Sequence, residues 1–284
     1  MEKILINCPL NINRSFTHMI KEFTKSAYDQ DEFQVVHEQH RLEHDSTLLN
    51  DYESGNLPVL YIGMALDFAH LTTSEKADNF ESIPSFPLGS ELTDIGFRDS
   101  GEHFQVFAVV PFATIYNKNI VKYPPTKWSD FRNEYYAGKI RFPVRQLPVA
   151  RVITTNIQDK EFLDNCVFAG SPIEVVNAVD KGEYEFGMVN LSFSRVSRHK
   201  NTQILWLAEG LYCMPLVIVV RKGQLAKVKK IINYVYSREI QEFLVQQSFI
   251  PALAQLPWPS ILLENNNKII WEGWNNFLSN LNNQ

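Results

Sequence analysis

The apolar and polar positions of the first 64 residues predict strands that alternate with helices. "KILIN" at 3–7 is a short apolar run typical of a buried strand, and "EFQVVHE" alternates like a second strand. Between them, Phe16, Met19, Ile20 and Phe23 recur at helical spacing, with Asn13 as a candidate N-cap. A short helix in "DSTLLNDYESG" and a third strand in "LPVLYIGM" follow. This β-α-β-α-β order predicts an α/β fold with a parallel sheet and crossover helices.

Two long β-rich runs, roughly a hundred residues apart, organise the rest of the chain. "GEHFQVFAVVPFATIYN" contains Pro111, which is awkward inside a central strand, and "MPLVIVVRKG" begins at Met214. Between them lies a separate set of elements: "KIRFPV", "SPIEVVNAVDKG" and "FGMVNL". We interpret the two runs as the two strands of a hinge. Residues 1–108 and 218–284 would then form one lobe, and residues 109–217 the other.

Composition narrows the function classes. The chain has 284 residues, a formal net charge of −5 and no long basic block, which argues against nucleic acid or an anionic membrane as a partner. Its three cysteines match no zinc or CxxC spacing, and no phosphate-binding loop, dinucleotide fingerprint or hydrolase motif is present. We therefore expect no cofactor and no enzymatic activity.

Four motifs in order carry a family resemblance over about residues 3–255. They are "YNKNIVKYPPTKWSDF" with "NEYYAGKIRFP", then "VDKGEYEFGMVNL", "PLVIVVRKG" and "SREIQEFLVQQSFIPA". Together they resemble the type II solute-binding proteins of ABC transporters, in the group that binds ferric iron, thiamine or polyamines. "NCPL" at 7–10 is similar to the start of a set that lacks a signal peptide.

The resemblance implies a two-lobed type II periplasmic-binding-protein-like fold with a two-strand hinge. It implies a protein that closes around a small polar solute between its lobes and serves an ABC-type permease. The alternatives are a cytoplasmic solute sensor or carrier of the same fold, and a metal-binding protein that uses His37, His40 and His44. We expect a monomer whose partners are a small molecule, anionic in our interpretation, and an ABC permease.

One departure from the family concerns iron. The iron binders carry two adjacent tyrosines after the "KGE" strand, whereas this chain has Ser192 and Phe193 there. Phenolate oxygens are hard anionic ligands that serine and phenylalanine do not replace. We keep Ser192 as a candidate solute contact and expect no ferric site built on tyrosines. Tyr135 and Tyr136 are interpreted as packing residues.

Candidate solute contacts lie where strands end, since open α/β sheets bind ligands beyond the carboxyl ends of their strands. Asn7 and Cys8 end the first strand, and Gly63 and Met64 end the third. Core packing is the competing explanation for each.

In the second lobe, Arg145 and Gln146 follow the strand "KIRFPV", where an arginine can pair with an anion. Ser171 begins a capping box, which explains it structurally, although the family often directs that helix start at the ligand. Phe112 and Tyr212 flank the hinge strands as a candidate aromatic wall, with core packing as the alternative.

"HEQHRLEH" places His37, His40 and His44 within eight residues after a strand. Three explanations stay open: a metal site, polar contact with a solute through His40 and Arg41, or a solvated loop. The N-terminal stretch has no long apolar region and no small-residue cleavage site, which predicts a cytoplasmic protein. If the chain is a processed form, it predicts a periplasmic or cell-surface one.

Overall fold

The computed structural model describes residues 1–29, 31–37, 47–83, 88–265 and 268–282. Internal contacts divide the chain into two compact units. Unit 1 comprises residues 1–109 and 214–258, and unit 2 comprises residues 110–213 and 259–284.

The strands of the described residues are β1 (Glu2–Asn7), β2 (Phe33–His37), β3 (Leu60–Met64), β4 (Gln105–Asn117), β5 (Ile140–Phe142), β6 (Cys166–Phe168), β7 (Phe186–Asn190), β8 (Thr202–Leu205), β9 (Leu211–Val220), β10 (Ile250–Pro251) and β11 (Ile269–Ile270). The α-helices are α1 (Leu10–Ala27), α2 (Thr47–Glu53), α3 (Thr73–Asn79), α4 (Ser90–Ile95), α5 (Pro148–Ile157), α6 (Lys160–Asp164), α7 (Pro172–Lys181), α8 (Leu225–Val235), α9 (Arg238–Gln246), α10 (Ser260–Glu264) and α11 (Trp274–Asn282). No helix among the described residues combines the length and the apolar character needed to cross a membrane.

Unit 1 is built on the predicted parallel strands. β1 pairs in parallel with β2 on one side and with β3 on the other. The unit 1 part of β9 then adds to β3 in the antiparallel sense. Ile12, Phe16 and Ile20 recur every four residues of α1 and are fully buried, because that stripe is the apolar face of the helix. The carboxyl ends of β1 and β3 therefore lie side by side.

The start of α1 differs from the prediction. The helix begins at Leu10 after Pro9, and Asn13 lies inside its first turn instead of at the N-cap. The Asn13 side chain is buried, and its Oδ1 accepts a hydrogen bond of 3.2 Å from the Cys8 backbone N–H. Asn13 thus fixes the turn after β1 by a side-chain contact rather than by capping.

Unit 2 has a parallel sheet with an antiparallel edge. β5 pairs in parallel with both β6 and β7, whereas β4 runs antiparallel to β7 and to β8. α7 packs on this sheet through a buried apolar group: Ile115, Val175, Val176, Val179, Val189 and Phe193. The carboxyl ends of β5, β6 and β7 thus lie at one end of the sheet. Asn117, the last residue of β4, and Thr202, the first of β8, pair at the other end.

The unit boundaries fall inside β4, between Val109 and Val110, and inside β9, between Cys213 and Met214. β4 runs through Pro111 without interruption. The last 26 residues, 259–284, differ from the predicted division, which placed them with the first lobe. They belong to unit 2 because β11 pairs with β9 at Leu211 and Tyr212, and α11 packs against α5.

Candidate functional site

The strand ends of unit 1 hold a buried polar group centred on Asp67. Asn7 Nδ2 donates a hydrogen bond of 2.7 Å to Asp67 Oδ2. The Tyr61 hydroxyl donates to the same oxygen and lies 3.1 Å from the Met64 carbonyl oxygen. Asn7 is only 4% exposed, and its Oδ1 accepts no hydrogen bond from any described residue. A buried acceptor without a partner is costly unless a bound group donates to it.

Gly63 is required by the close approach of these groups. It pairs with Asn7 across β1 and β3. A Cβ atom at position 63 would lie 2.3 Å from the Asn7 carbonyl oxygen and 2.6 Å from the Tyr61 hydroxyl oxygen. Only glycine leaves room for this contact. Met64, the next residue, is buried and contributes its carbonyl oxygen to the same group.

Cys8 is fully buried beside this group, and its thiol is directed at the Ile62 carbonyl oxygen. Burial raises the pKa of the Cys8 thiol well above its usual range, and the negative charge of Asp67 raises it further. A thiol held in the neutral form is a poor nucleophile and a poor metal ligand. Cys8 is therefore suited to packing, and its predicted contact with a solute stays a prediction.

The strand ends of unit 2 carry an exposed cation. Arg145 follows β5 and lies ahead of α5, with its guanidinium carbon 3.8 Å from the centre of the Phe168 ring. Stacking on an aromatic face holds the guanidinium plane in place while leaving its N–H groups free to bind. No carboxylate among the described residues pairs with Arg145. Gln146, beside it, is also exposed.

Ser171 and Ser192 are both engaged in local hydrogen bonds. Ser171 caps α7: its hydroxyl accepts from the Glu174 N–H, and the Glu174 carboxylate accepts from the Ser171 N–H at 2.7 Å. The Ser192 hydroxyl donates to Asn190 Oδ1 at 3.0 Å, just beyond β7. Both side chains are half-buried at the same end of the sheet as Arg145.

The two candidate aromatic residues differ. Phe112 is buried in β4, opposite Asn190. Tyr212 is half-buried, with its ring 5.3 Å from that of Trp128. Burial, followed by the charges of Glu272 and Glu209, raises the pKa of Tyr212 to about 12. It is therefore a neutral hydroxyl at physiological pH.

The residues that matter for metal binding are only partly described. His37 ends β2 and is exposed, whereas His40, Arg41 and His44 lie outside the described residues. Within the described residues no group of three or more histidine, cysteine or acidic side chains is placed to hold a metal ion.

The residues considered for a ferric site, Phe193, Tyr135 and Tyr136, lie in different surroundings. Phe193 packs in the core of unit 2, against α7. Tyr136 packs against Phe131 and Phe186, as predicted, but Tyr135 is 61% exposed and is covered on one face by the Lys139 ammonium, 3.3 Å from the ring centre. Tyr135 is therefore not a core residue, although its ring packs edge-to-face on that of Tyr136, with the ring centres 5.1 Å apart.

Three members of the strand-end groups were missed from the sequence. Asp67 lies three residues beyond β3, in the short helix Ala65–Phe68, and Tyr61 lies inside β3. The one available signal was an acidic residue directly after an otherwise apolar run, "LYIGMALDF". Asn190, at the end of β7, was missed in the same way.

Comparison with known proteins assigns the chain to a family. The family model for the bacterial extracellular solute-binding proteins matches residues 65–280, which is most of the chain. The chain belongs to this family. None of the curated proteins matches its sequence. Family membership confirms the prediction of a solute-binding component of ABC transport, with a small-molecule ligand and a permease as partners.

Solved structures agree at the level of the fold. The ferric binding protein from Campylobacter jejuni superposes with a TM-score of 0.77 at 16% identity, over 100% of this chain and 96% of that chain. The apo ferric ion-binding protein A of Pasteurella haemolytica gives 0.77 at 14%, over 99% and 95%. The Trichodesmium protein IdiA (FutA), in complex with iron and citrate, gives 0.71 at 15%, over 99% and 95%. The predicted α/β class and periplasmic-binding-protein fold are confirmed.

Family membership also bears on the predictions about enzymatic activity and cellular location. Its members are binding proteins, in line with the expectation that this chain is not an enzyme. They are described as extracellular, and nothing found supports the predicted cytoplasmic location.

Proposed function

We propose that this solute-binding protein captures a small, polar, anionic solute, delivers it to an ABC permease and leaves it chemically unchanged. The observation that carries the proposal is Arg145. It is exposed at the carboxyl ends of the unit 2 strands, is stacked on Phe168, and has no described carboxylate as a partner. A guanidinium positioned in this way presents paired N–H donors to a carboxylate or phosphate group.

The strand ends of unit 1 add a requirement on the solute. Asn7 Oδ1 is an acceptor without a described partner, whereas Asn7 Nδ2 is already committed to Asp67. A solute that reaches Asn7 therefore gains most if it carries a hydrogen-bond donor, such as a hydroxyl or an ammonium group. We propose, as a separate feature of unit 1, that Asn7 favours a solute group that carries a hydrogen-bond donor.

The protonation and hydrogen bonding of the candidate nucleophiles support binding without a chemical reaction. The thiols of Cys8, Cys166 and Cys213 all have a pKa raised above the usual value by burial, and Arg145 offsets this only in part at Cys166. The Ser171 hydroxyl is used in helix capping. No described nucleophile at the strand ends has the adjacent, oriented base that nucleophilic catalysis requires.

Iron deserves a separate test because the similar structures named above bind iron. Phe193, at one of the two positions where the family's iron binders have tyrosines, lies in the core of unit 2, so no phenolate is present there. We expect a ferric titration to give no intense visible phenolate-to-iron band. A band that disappears when Tyr135 or Tyr136 is replaced by phenylalanine would overturn this expectation. Ferric citrate and citrate should be compared as solutes, because an anionic chelate could use Arg145 instead.

Native mass spectrometry of the purified chain tests the proposal. We expect a monomer that retains a small co-purified molecule, which is anionic when released and identified. Calorimetric titration of that molecule into the emptied protein should then give a single site. A cationic co-purified molecule would overturn the anionic assignment, and covalent conversion of the solute during incubation would overturn binding without chemistry.

A further inference from the structure

A basic surface with exposed apolar side chains lies at the opposite end of the unit 2 sheet from Arg145. It is formed by the turn after β4, "NKNIVKY" at 117–123, and the loop before β8, "RVSRHKN" at 195–201. The two segments hold five lysines and arginines and no acidic residue, in a chain whose net charge is −5. We call this the basic end surface; its cations are Lys118, Lys122, Arg195, Arg198 and Lys200.

The two segments are joined by direct contacts. The Lys118 N–H donates to the Asn201 carbonyl oxygen at 2.9 Å, and Asn119 Nδ2 donates to Asn201 Oδ1 at 2.9 Å. The buried Asn117 side chain donates to the Val179 carbonyl oxygen at 2.7 Å. The turn and the loop therefore form one continuous surface.

A buried acid fixes the loop. The carboxylate of Asp180, which is 1% exposed, accepts hydrogen bonds from the Ser197 hydroxyl and from the N–H groups of His199 at 2.8 Å and Asn201 at 3.0 Å. Burial acts to raise the pKa of Asp180, but these hydrogen bonds outweigh it and hold the pKa below its usual value. The loop is thus held in place while its cationic side chains extend into solvent.

The cations of the basic end surface have no described ion-pair partner. Asp180 is buried beneath the loop, and Glu183, just after α7, is paired with Lys181 at 3.6 Å. Apolar side chains are exposed among the cations: Tyr123 is 93% exposed, Ile120 47% and Val196 46%. Unpaired lysines and arginines interleaved with an exposed aromatic and two aliphatic side chains match the interfacial region of an anionic bilayer.

We propose that the basic end surface adsorbs to membranes that carry anionic phospholipids. Lysines and arginines would lie against the lipid headgroups, and Tyr123 would enter the interfacial layer with Ile120 and Val196. Each basic residue near such a surface favours binding by about fivefold, and salt weakens this contribution. The surface is distinct from Arg145, the proposed solute contact of unit 2, which lies at the other end of the same sheet.

Co-sedimentation of the full chain with lipid vesicles tests the proposal. We expect sedimentation with phosphatidylglycerol vesicles at low ionic strength, release when salt is added, and little sedimentation with phosphatidylcholine vesicles. The pair of changes Arg198→Gln and Lys200→Gln should weaken partitioning by about tenfold or more. Tyr123→Ser should weaken it by about fivefold while leaving the dependence on salt unchanged.

A matched control keeps the result specific. Lys160 and Lys229 are exposed on α6 and α8, and the pair of changes Lys160→Gln and Lys229→Gln alters net charge by the same amount. We expect this control to bind as the unaltered chain does. Circular dichroism and melting temperature check that each variant is folded. The proposal is overturned if no vesicles bind, if phosphatidylcholine binds equally well, or if the control weakens binding as much as the Arg198 and Lys200 pair.

Discussion

Asp67 in unit 1 and Asp180 in unit 2 use the same carboxylate chemistry for different purposes. Asp67 accepts hydrogen bonds from the side chains of Asn7 and Tyr61 at the carboxyl ends of β1 and β3. Asp180 accepts from two backbone N–H groups and one hydroxyl of the loop before β8. The first orients side chains, and the second fixes the course of the backbone.

The comparison separates residues that shape a binding surface from residues that hold a loop. Side chains fixed by another side chain keep a defined direction, as Asn7 does, and leave one polar atom for a ligand. A backbone fixed by a buried acid leaves its own side chains free, as in the exposed Arg198 and Lys200. Replacing each acid should therefore have different consequences.

The largest effect is expected for Asp180→Ala. Two N–H groups and a hydroxyl would lose their acceptor in a buried position, so we expect the free energy of unfolding to fall by about 3 kcal/mol. Chemical denaturation measures this loss. Asp164→Ala removes an exposed acid of the same unit and should change stability by less than about 0.5 kcal/mol. Equal losses from both variants would show that Asp180 does not hold the loop.

A smaller loss of stability, with a loss of binding, is expected for Asp67→Ala. Asn7 and Tyr61 would lose their shared acceptor, at a cost of about 2 kcal/mol, because Asp67 is less buried than Asp180. Without this acceptor the Asn7 amide would also lose its orientation, so solute affinity should fall. Asp78→Ala, on the exposed side of α3, is the matched control. Unchanged solute affinity in Asp67→Ala would show that the unit 1 strand ends do not contribute to solute binding.

The smallest effect is expected in the dependence of folding stability on acidic pH. The folded-state pKa of Asp180 lies below its value in the unfolded chain, so its contribution is fully present above about pH 4 and is lost as pH falls through the folded value. We expect the stability of the unaltered chain to decline more steeply below about pH 4 than that of Asp180→Asn. Denaturation curves across that range measure the difference, and parallel declines would contradict it.

Much of the fold could be predicted because its signals are local. The apolar stripe of α1, the capping box of α7 and the buried runs of β1 and β3 each specify an element within a few residues. The place of residues 259–284 could not be predicted in this way. It depends on a two-residue pairing of β11 with β9 and on packing of α11 against α5, which are contacts between distant parts of the chain.

The candidate site was predictable only in part. Strand ends are visible in sequence, so Asn7, Gly63 and Arg145 could be named from their positions. Asp67 could not, because its role depends on the side chains of Asn7 and Tyr61 meeting it across neighbouring strands. The need for glycine at position 63 also appears only when the Tyr61 hydroxyl is seen beside it.

The solute affinity of Arg145→Ala is the most direct test of the central claim. Loss of a charge-assisted contact should weaken binding of the co-purified solute by about 1.5–3 kcal/mol, or roughly ten- to a hundredfold. Calorimetry on the emptied proteins measures it, with Arg98→Ala, an exposed arginine of unit 1, as the control. The melting temperature of the empty protein should change little, because Arg145 makes no ion pair with a described residue and loses only its exposed stacking on Phe168. An unchanged dissociation constant in Arg145→Ala, or a solute that proves to be cationic, would contradict the account.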